Sequence, residues 1–170
     1  MNQIAPLSET MAVTGQIGPE DFAALKALGF RSVINNRPDG EGADAYLPAA
    51  EAAAIARRHG LDYAHLPANG LNLTDDETVE AFERLVASLP GPVLAHCKTG
   101  TRSAILWALA QTRETPVEEI LESTAQAGLE LSVIRPDLLE RAERVGLVPH
   151  PPAPSASWPQ QTLEDCQPAG

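Results

Sequence analysis

A thiol, two cations and a glycine lie within one short segment, 96–103, whose sequence is His-Cys-Lys-Thr-Gly-Thr-Arg-Ser. The apolar run before it, 92–95, predicts a short buried strand, and residues 102–110 predict an apolar helix. Cys97 therefore lies at the junction of a strand and a helix. Because a helix start offers unpaired backbone N–H groups and a partial positive charge, this position stabilises a thiolate or a bound oxyanion.

The cations and the glycine of this segment allow it to bind an anion beside the thiol. Lys98 and Arg102 carry full positive charges, and the guanidinium of Arg102 is a planar fork that matches an oxyanion. Gly100 frees the backbone to turn its amides inward. We predict that Cys97 is the catalytic nucleophile and that Arg102 holds the reacting group. The predicted anion-binding loop consists of Lys98, Thr99, Gly100, Thr101 and Ser103.

The hydroxyl groups of this loop add further hydrogen-bond donors. Thr99, Thr101 and Ser103 can each donate to the sulfur or to a bound anion. Ser103 is the strongest of these candidates, although its position suits equally a cap of the helix or a hydrogen bond to a preceding carbonyl.

This segment resembles the signature of cysteine-based phosphatases, in which His-Cys is followed by two residues, Gly, two residues, Arg and Ser. It is still more similar to the phosphatase-like domain of beta-lactamase-hydrolase-like proteins, a bacterial family also described as DUF442 or phosphatase-like sulfurtransferases. The resemblance covers roughly residues 10 to 112. It implies a dual-specificity-phosphatase-like fold, and it implies that His96 orients the loop and tunes Cys97.

Elements alternate along the chain in a pattern typical of an α/β domain with a mostly parallel central sheet flanked by helices. The predicted strands are 10–14, 31–35, 62–66 and 92–95. The predicted helices are 19–28, 47–59, 74–88, 102–110, 117–127 and 136–145. We expect one catalytic domain at 1–148.

The cysteine loop departs from the phosphatase signature in its length. Four residues separate Cys97 from Arg102, where phosphatases have five. A phosphoryl group needs a wide cradle of N–H donors, while a sulfane sulfur is a single small atom. The length also resembles that of the loop in rhodanese-type sulfurtransferases, so the shorter ring favours sulfur.

A general acid is missing from the place where the resembled phosphatases hold it. Their aspartate lies about thirty residues before the cysteine, and the corresponding stretch here, 65–71, contains no carboxylate. Asp75 and Asp76 come next, but residues 74–77 have capping-box spacing at the start of a helix. Transfer of a sulfane sulfur needs no such acid, because thiolates leave unaided.

The segment 37–41, Arg-Pro-Asp-Gly-Glu, allows two interpretations. Its composition is that of an ordinary turn. It also follows a predicted strand, as the cysteine loop does, and parallel strands end at one edge of a sheet. In that second case Arg37 and Asp39 face the site and support it.

Composition and charge limit the partners. The 170-residue chain has a formal net charge of −11, so we expect neither nucleic acid nor a membrane surface as partner. No apolar run approaches the length of a membrane span and no secretory signal is visible, which predicts a cytoplasmic location. His59, His65 and His150 lack metal-ligand spacing with Cys97, so we expect no metal and no cofactor.

The end of the chain, 149–170, is rich in proline and is predicted to be a disordered tail. Its Cys166 is interpreted as an incidental thiol, with the resolution of a persulfide or sulfenate on Cys97 as the alternative. Two cysteines in these positions predict no disulfide framework, which suits a reducing compartment.

Three functions follow from these residues. The leading hypothesis is a sulfurtransferase in which Cys97 accepts a sulfane sulfur, holds it as a persulfide and passes it to a thiol acceptor. Its substrate is a small anionic or sulfane-sulfur compound. The second is a cysteine-dependent phosphatase that forms a phosphocysteine. The third is a weakly catalytic anion sensor or interaction domain.

Overall fold

Short apolar segments pair into a five-stranded sheet in the computed structural model, which describes residues 3–146. The strands are β1 (Ala5–Pro6), β2 (Met11–Thr14), β3 (Ser32–Asn35), β4 (Asp62–His65) and β5 (Val93–His96). The helices are α1 (Asp21–Ala27), α2 (Ala49–Arg58), α3 (Asp76–Ser88), α4 (Thr101–Gln111), α5 (Val117–Gln126) and α6 (Arg135–Val145), with a 3-10 helix at Ser132–Ile134. The strand order is β1-β2-β5-β3-β4, so β5 lies at the centre.

The sheet is parallel from β2 to β4, and the edge strand β1 is antiparallel to β2. His96 at the end of β5 lies opposite both Thr14 of β2 and Asn35 of β3, and Asn35 lies opposite His65 of β4. Because parallel strands end at the same edge, the loops that follow these four strands meet there. The loop after β5 contains Cys97, so this edge carries the candidate site.

Apolar side chains cover both faces of the sheet. On β5, Val93 and Ala95 belong to the core cluster formed with α3 to α6, while Leu94 belongs to the cluster formed with α1 and α2. This division follows the two-residue period of a strand. Helix α4 is buried along most of its length because it packs against the sheet and against α3, α5 and α6. The predicted α/β domain with a mostly parallel sheet is confirmed.

Two helices begin two residues later than predicted. The helix expected from residue 19 begins at Asp21, after a turn in which Asp21 Oδ2 accepts a hydrogen bond from the backbone N–H of Gly18 at 2.7 Å. The helix expected from residue 47 begins at Ala49, because Pro48 is extended and disfavours helical backbone at the residue before it. Strand β1 and the 3-10 helix were not predicted, since two or three residues carry no periodicity.

The capping box predicted at 74–77 is not formed. Helix α3 begins at Asp76, and its N-cap, Asp75, makes no side-chain hydrogen bond to the helix start. Asp76 instead accepts hydrogen bonds from Arg141 and Arg144 of α6. Its carboxylate therefore joins α3 to α6.

Candidate active site

Cys97 lies directly after β5, where the chain turns into α4. It is 1% exposed, and its Sγ accepts a hydrogen bond from the backbone N–H of Gly100 at 3.1 Å. Gly100 has a φ of +92°, in the left-handed region, and a Cβ there would lie 3.2 Å from the backbone of Thr14. Position 100 therefore requires glycine, both for its φ and for the close approach of β2.

Neighbouring strands hold this loop from two sides. The backbone N–H of Gln16, just beyond β2, donates to the carbonyl of Lys98 at 3.1 Å. On the other side, the hydroxyl of Ser103 donates to Oδ1 of Asn36 at 2.8 Å. The hydroxyl that was the strongest candidate donor to the sulfur or anion thus has another partner. It joins the first turn of α4 to the end of β3.

Arg102, in the first turn of α4, binds a carboxylate that the sequence prediction did not include. Its Nη1 and Nη2 donate to Oε1 and Oε2 of Glu41 at 2.6 and 2.8 Å. Nη1 also donates to the carbonyl of Ala68, in the loop after β4, at 2.8 Å. The hydrogen bonds to Glu41 raise the pKa of Arg102 against the opposing effect of burial, and the nearby Cys97 raises it further.

Glu41 lies between two arginines. Its Oε2 also accepts a hydrogen bond from Nε of Arg37 at 3.1 Å. Arg37 is 3% exposed, stacks over the ring of Tyr46 at 3.5 Å and donates to Oε1 of Gln16 at 3.2 Å. The Arg102 guanidinium holds the pKa of Glu41 below its usual value, so this carboxylate is ionised at neutral pH.

The segment 37–41 is therefore part of the site, but not through the pair of residues that was predicted. Arg37 reaches Arg102 through Glu41. Asp39 instead accepts a hydrogen bond from the backbone N–H of Ala49 at 2.9 Å and so stabilises the start of α2. Sequence reasoning missed Glu41, although an acid at the end of a turn that begins with arginine was a usable signal.

The remaining polar residues of the predicted anion-binding loop have surface partners. Lys98 is about half exposed and pairs with Asp44, whose Oδ2 lies 3.4 Å from its Nζ. The hydroxyls of Thr99 and Thr101 are exposed and hydrogen-bond to each other at 3.1 Å. None of these contacts directs the side chain to the thiol, and any role in binding an anion stays a prediction.

His96 is buried beneath the loop at the end of β5. It is 1% exposed, and neither ring nitrogen makes a hydrogen bond within the residues that the structure describes. Burial lowers the pKa of His96 to about 4, while the Cys97 backbone acts in the opposite direction. The imidazole is therefore neutral at pH 7 and is not an acid for the reaction.

A carboxylic acid for protonating a leaving group is also missing from the two places considered in the sequence. The loop after β4 contributes the carbonyl of Ala68 to Arg102, and Asp76 is held by Arg141 and Arg144. The carboxylate that does contact Arg102 is the ionised Glu41. It is a poor proton donor at neutral pH.

Within residues 3–146, no three side chains of His, Cys, Asp or Glu form a group that could hold a metal ion. No helix there is both long and apolar enough to cross a membrane. Cys166, His150 and the tail predicted at 149–170 lie outside the described residues.

The fold and the loop that joins Cys97 to Arg102 define a domain of the cysteine-based, dual-specificity-phosphatase-like class. The crystal structure of a phosphatase-like protein from Neisseria meningitidis Z2491 matches with a TM-score of 0.73 and 29% identity, covering 81% of this chain and 97% of that one. Kinase associated phosphatase, solved with its catalytic-site cysteine replaced by serine, matches with a TM-score of 0.64 and 16% identity, covering 85% and 95%.

The chain belongs to the family described as beta-lactamase hydrolase-like protein, phosphatase-like domain, which residues 3–114 match. A beta-lactamase hydrolase-like protein of Xylella fastidiosa is 41% identical over 109 residues, covering 64% of this chain and 25% of the relative. One from Agrobacterium fabrum is 37% identical over 114 residues, covering 66% and 26%. The match thus spans about a quarter of the length of these relatives. The family resemblance noted in the sequence is confirmed.

Proposed function

We propose that this chain is a sulfurtransferase that carries a sulfane sulfur on Cys97 as a persulfide. The observation that carries the proposal is the state of Arg102, whose two terminal nitrogens already bind the carboxylate of Glu41. In a phosphatase reaction this guanidinium would have to hold phosphoryl oxygens, so a dianion would have to displace a bidentate carboxylate. A sulfane sulfur places no oxygen on the arginine, and it reacts with the Glu41 contact intact.

The short loop supports the same function. Four residues lie between Cys97 and Arg102, and the Gly100 N–H donates directly to Sγ. Backbone donors so close to the thiol stabilise a thiolate or the anion of a persulfide. A ring with one residue fewer than that of phosphatases offers one amide fewer for the three terminal oxygens of a phosphoryl group.

The proposed reaction has two balanced steps. In the first, the Cys97 thiolate attacks the outer sulfur of a persulfide R–S–SH; the new S–S bond gives Cys97–S–SH, and the old S–S bond breaks to release R–S⁻. In the second, an acceptor thiolate attacks the outer sulfur of Cys97–S–SH, forms a new persulfide and restores the Cys97 thiolate. No net oxidation occurs in either step.

The lack of an acid is compatible with this chemistry. A thiolate leaves without protonation at neutral pH, because the free thiol has a pKa of about 8.5. A phosphate monoester with an alcohol leaving group instead benefits from a proton donor at the departing oxygen. The neutral His96 and the ionised Glu41 do not supply that proton.

A cysteine-dependent phosphatase is the second candidate, because the fold and the order of Cys97 and Arg102 are those of cysteine-based phosphatases. Such an enzyme would form a phosphocysteine at Cys97 and hydrolyse it with water. It would have to open the contact between Arg102 and Glu41 in every turnover.

The test measures the intact mass of the protein after incubation with an alkyl persulfide and, separately, with thiosulfate. We expect a gain of one sulfur atom that excess dithiothreitol removes, and a faster gain from the alkyl persulfide than from thiosulfate. Cys97→Ser should abolish the gain, since oxygen is a poor nucleophile without a dedicated base. Cys166→Ser is the matched control, and it should retain the gain. Rapid hydrolysis of an aryl phosphate together with no sulfur gain from either donor would overturn the proposal in favour of the phosphatase.

A further inference from the structure

Glu41 places a negative charge where an anionic substrate would otherwise meet Arg102. Its two carboxylate oxygens take both terminal nitrogens of Arg102, and Oε2 is shared with Nε of Arg37. This is the geometry with which arginine binds a carboxylate or phosphate ligand. The protein thus supplies its own anion to the arginine of the cysteine loop.

The backbone around Glu41 is held independently of the carboxylate. Its N–H donates to the hydroxyl of Tyr46 at 2.6 Å, and its carbonyl accepts a hydrogen bond from Nη2 of Arg37 at 3.3 Å. Gly40 and Gly42 on either side have φ values of +72° and +78°, which turn the chain sharply at this residue. The side chain can therefore be changed to an amide while the turn keeps its backbone contacts.

We propose that Glu41 selects the substrate class of this site: it keeps tetrahedral oxyanions such as phosphate, sulfate and thiosulfate off Arg102 and so favours sulfane sulfur carried on an organic thiol. The choice of sulfur donor rests on the function proposed above, whereas the exclusion of oxyanions does not. Glu41 is a specificity-determining residue in this scheme because it acts by occupying Arg102.

The charge balance of the three side chains gives the physical reason. Arg37 and Arg102 with Glu41 between them carry one net positive charge, while the arginines alone would carry two and would match a dianion. An incoming dianion must displace Glu41 and then remain close to a carboxylate of like charge, and both effects weaken its binding. An alkyl persulfide brings only its outer sulfur to Cys97 and leaves the arginine fork unchanged.

The first measurement is the binding of inorganic phosphate and of sulfate by isothermal titration calorimetry. Glu41→Gln removes the charge and keeps the shape, and its neutral amide is displaced more easily from Arg102. We expect the dissociation constant for both anions to fall at least about tenfold relative to the unaltered protein, as a change in one close charge pair allows.

The matched control is Asp44→Asn, which removes one negative charge from the same loop. Asp44 pairs with Lys98 at 3.4 Å in an exposed position, where ion pairs contribute little. We expect its anion affinities to stay within about twofold of the unaltered protein. Unchanged or weaker anion binding by Glu41→Gln would overturn the inference, and so would an equal gain in Asp44→Asn, because the effect would then be one of net charge.

The second measurement is the rate of sulfur loading on Cys97 from thiosulfate and from an alkyl persulfide. Glu41→Gln should raise the ratio of the first rate to the second about tenfold. An unchanged ratio would overturn the proposed donor selection. If neither donor loads the unaltered protein, the sulfurtransferase function fails, while calorimetry still tests whether Glu41 excludes oxyanions. A Glu41 that only braces the fold would lower the melting temperature on substitution without improving anion binding.

Discussion

Two clusters of arginines and carboxylates in this domain differ in their balance of charge. The site cluster consists of Arg37, Glu41 and Arg102, in which one carboxylate contacts two arginines. The helix cluster joins α3 and α6 to the turn after α4 and has four carboxylates around three arginines. Its members are Arg113, Arg141 and Arg144 with Asp76, Glu80, Glu83 and Glu140.

This difference in charge balance distinguishes a cluster that holds helices together from one that lies at the candidate site. Arg141 is 1% exposed and is fully surrounded by acceptors: Asp76, Glu83 at 2.8 Å and the carbonyl of Leu109 at 3.2 Å. A buried cation that is surrounded by an excess of carboxylates connects the helices that carry them. In the site cluster the positive charge is in excess and lies beside the Cys97 sulfur.

The largest effect is expected for Arg102→Lys in the site cluster. Lysine keeps the charge but lacks the planar fork that binds Glu41 at two points and at the same time holds a cation beside the Cys97 sulfur. We expect sulfur loading of Cys97 to slow by about ten- to a thousandfold, as for other preorganised charge donors, measured as the rate of mass gain. Arg113→Lys in the helix cluster is the control. A lysine variant at 102 that loads at the normal rate would show that the fork does not serve the reaction.

Arg141→Leu should break the helix cluster with a smaller effect, on stability and not on activity. Removing the cation leaves Asp76 and Glu83 without their buried partner, so we expect the free energy of unfolding to fall by about 3 kcal/mol in urea denaturation. The rate of sulfur loading per folded molecule should not change. Arg144→Leu, at a position about half exposed, is the comparison and should lower the free energy of unfolding clearly less. Equal losses of unfolding free energy in the two variants would mean that the burial of Arg141 contributes nothing to stability.

The smallest expected effect is the change in the free energy of unfolding at low pH, where the carboxylates of the two clusters become protonated. Arg102 holds the pKa of Glu41 below 4.5, and Arg144 holds that of Asp76 below 3.8. A carboxyl whose pKa is lowered by folding stabilises the fold above its unfolded pKa and loses that contribution as the pH falls through its folded pKa. The free energy of unfolding should therefore decline as the pH falls below about 4.5. Glu41→Gln and Asp76→Asn should each make this decline shallower. If either variant loses as much free energy of unfolding at low pH as the unaltered protein does, the replaced carboxylate does not contribute to the decline.

Local patterns predicted the elements of the fold because each element is a run of neighbouring residues. The helix expected at 102–110 is found at Thr101–Gln111, and the strand expected at 92–95 is found at Val93–His96. Errors arose where a distant or unusual contact replaced a local one. Thr74 to Glu77 have the spacing of a capping box, yet α3 begins at Asp76 with Asp75 at its N-cap, and Asp76 binds arginines of α6 that lie 65 and 68 residues further along the chain.

The sequence by itself determined the cysteine loop, because Cys97, Gly100 and Arg102 lie within one turn between a strand and a helix, and short-range geometry places them together. Only the tertiary structure decided what Arg102 binds. Glu41 lies 61 residues earlier, and it reaches Arg102 because β5 inserts between β2 and β3, which brings the loop after β3 beside the start of α4. Such a contact depends on strand order, and strand order depends on the packing of the whole sheet and not on any local run of residues.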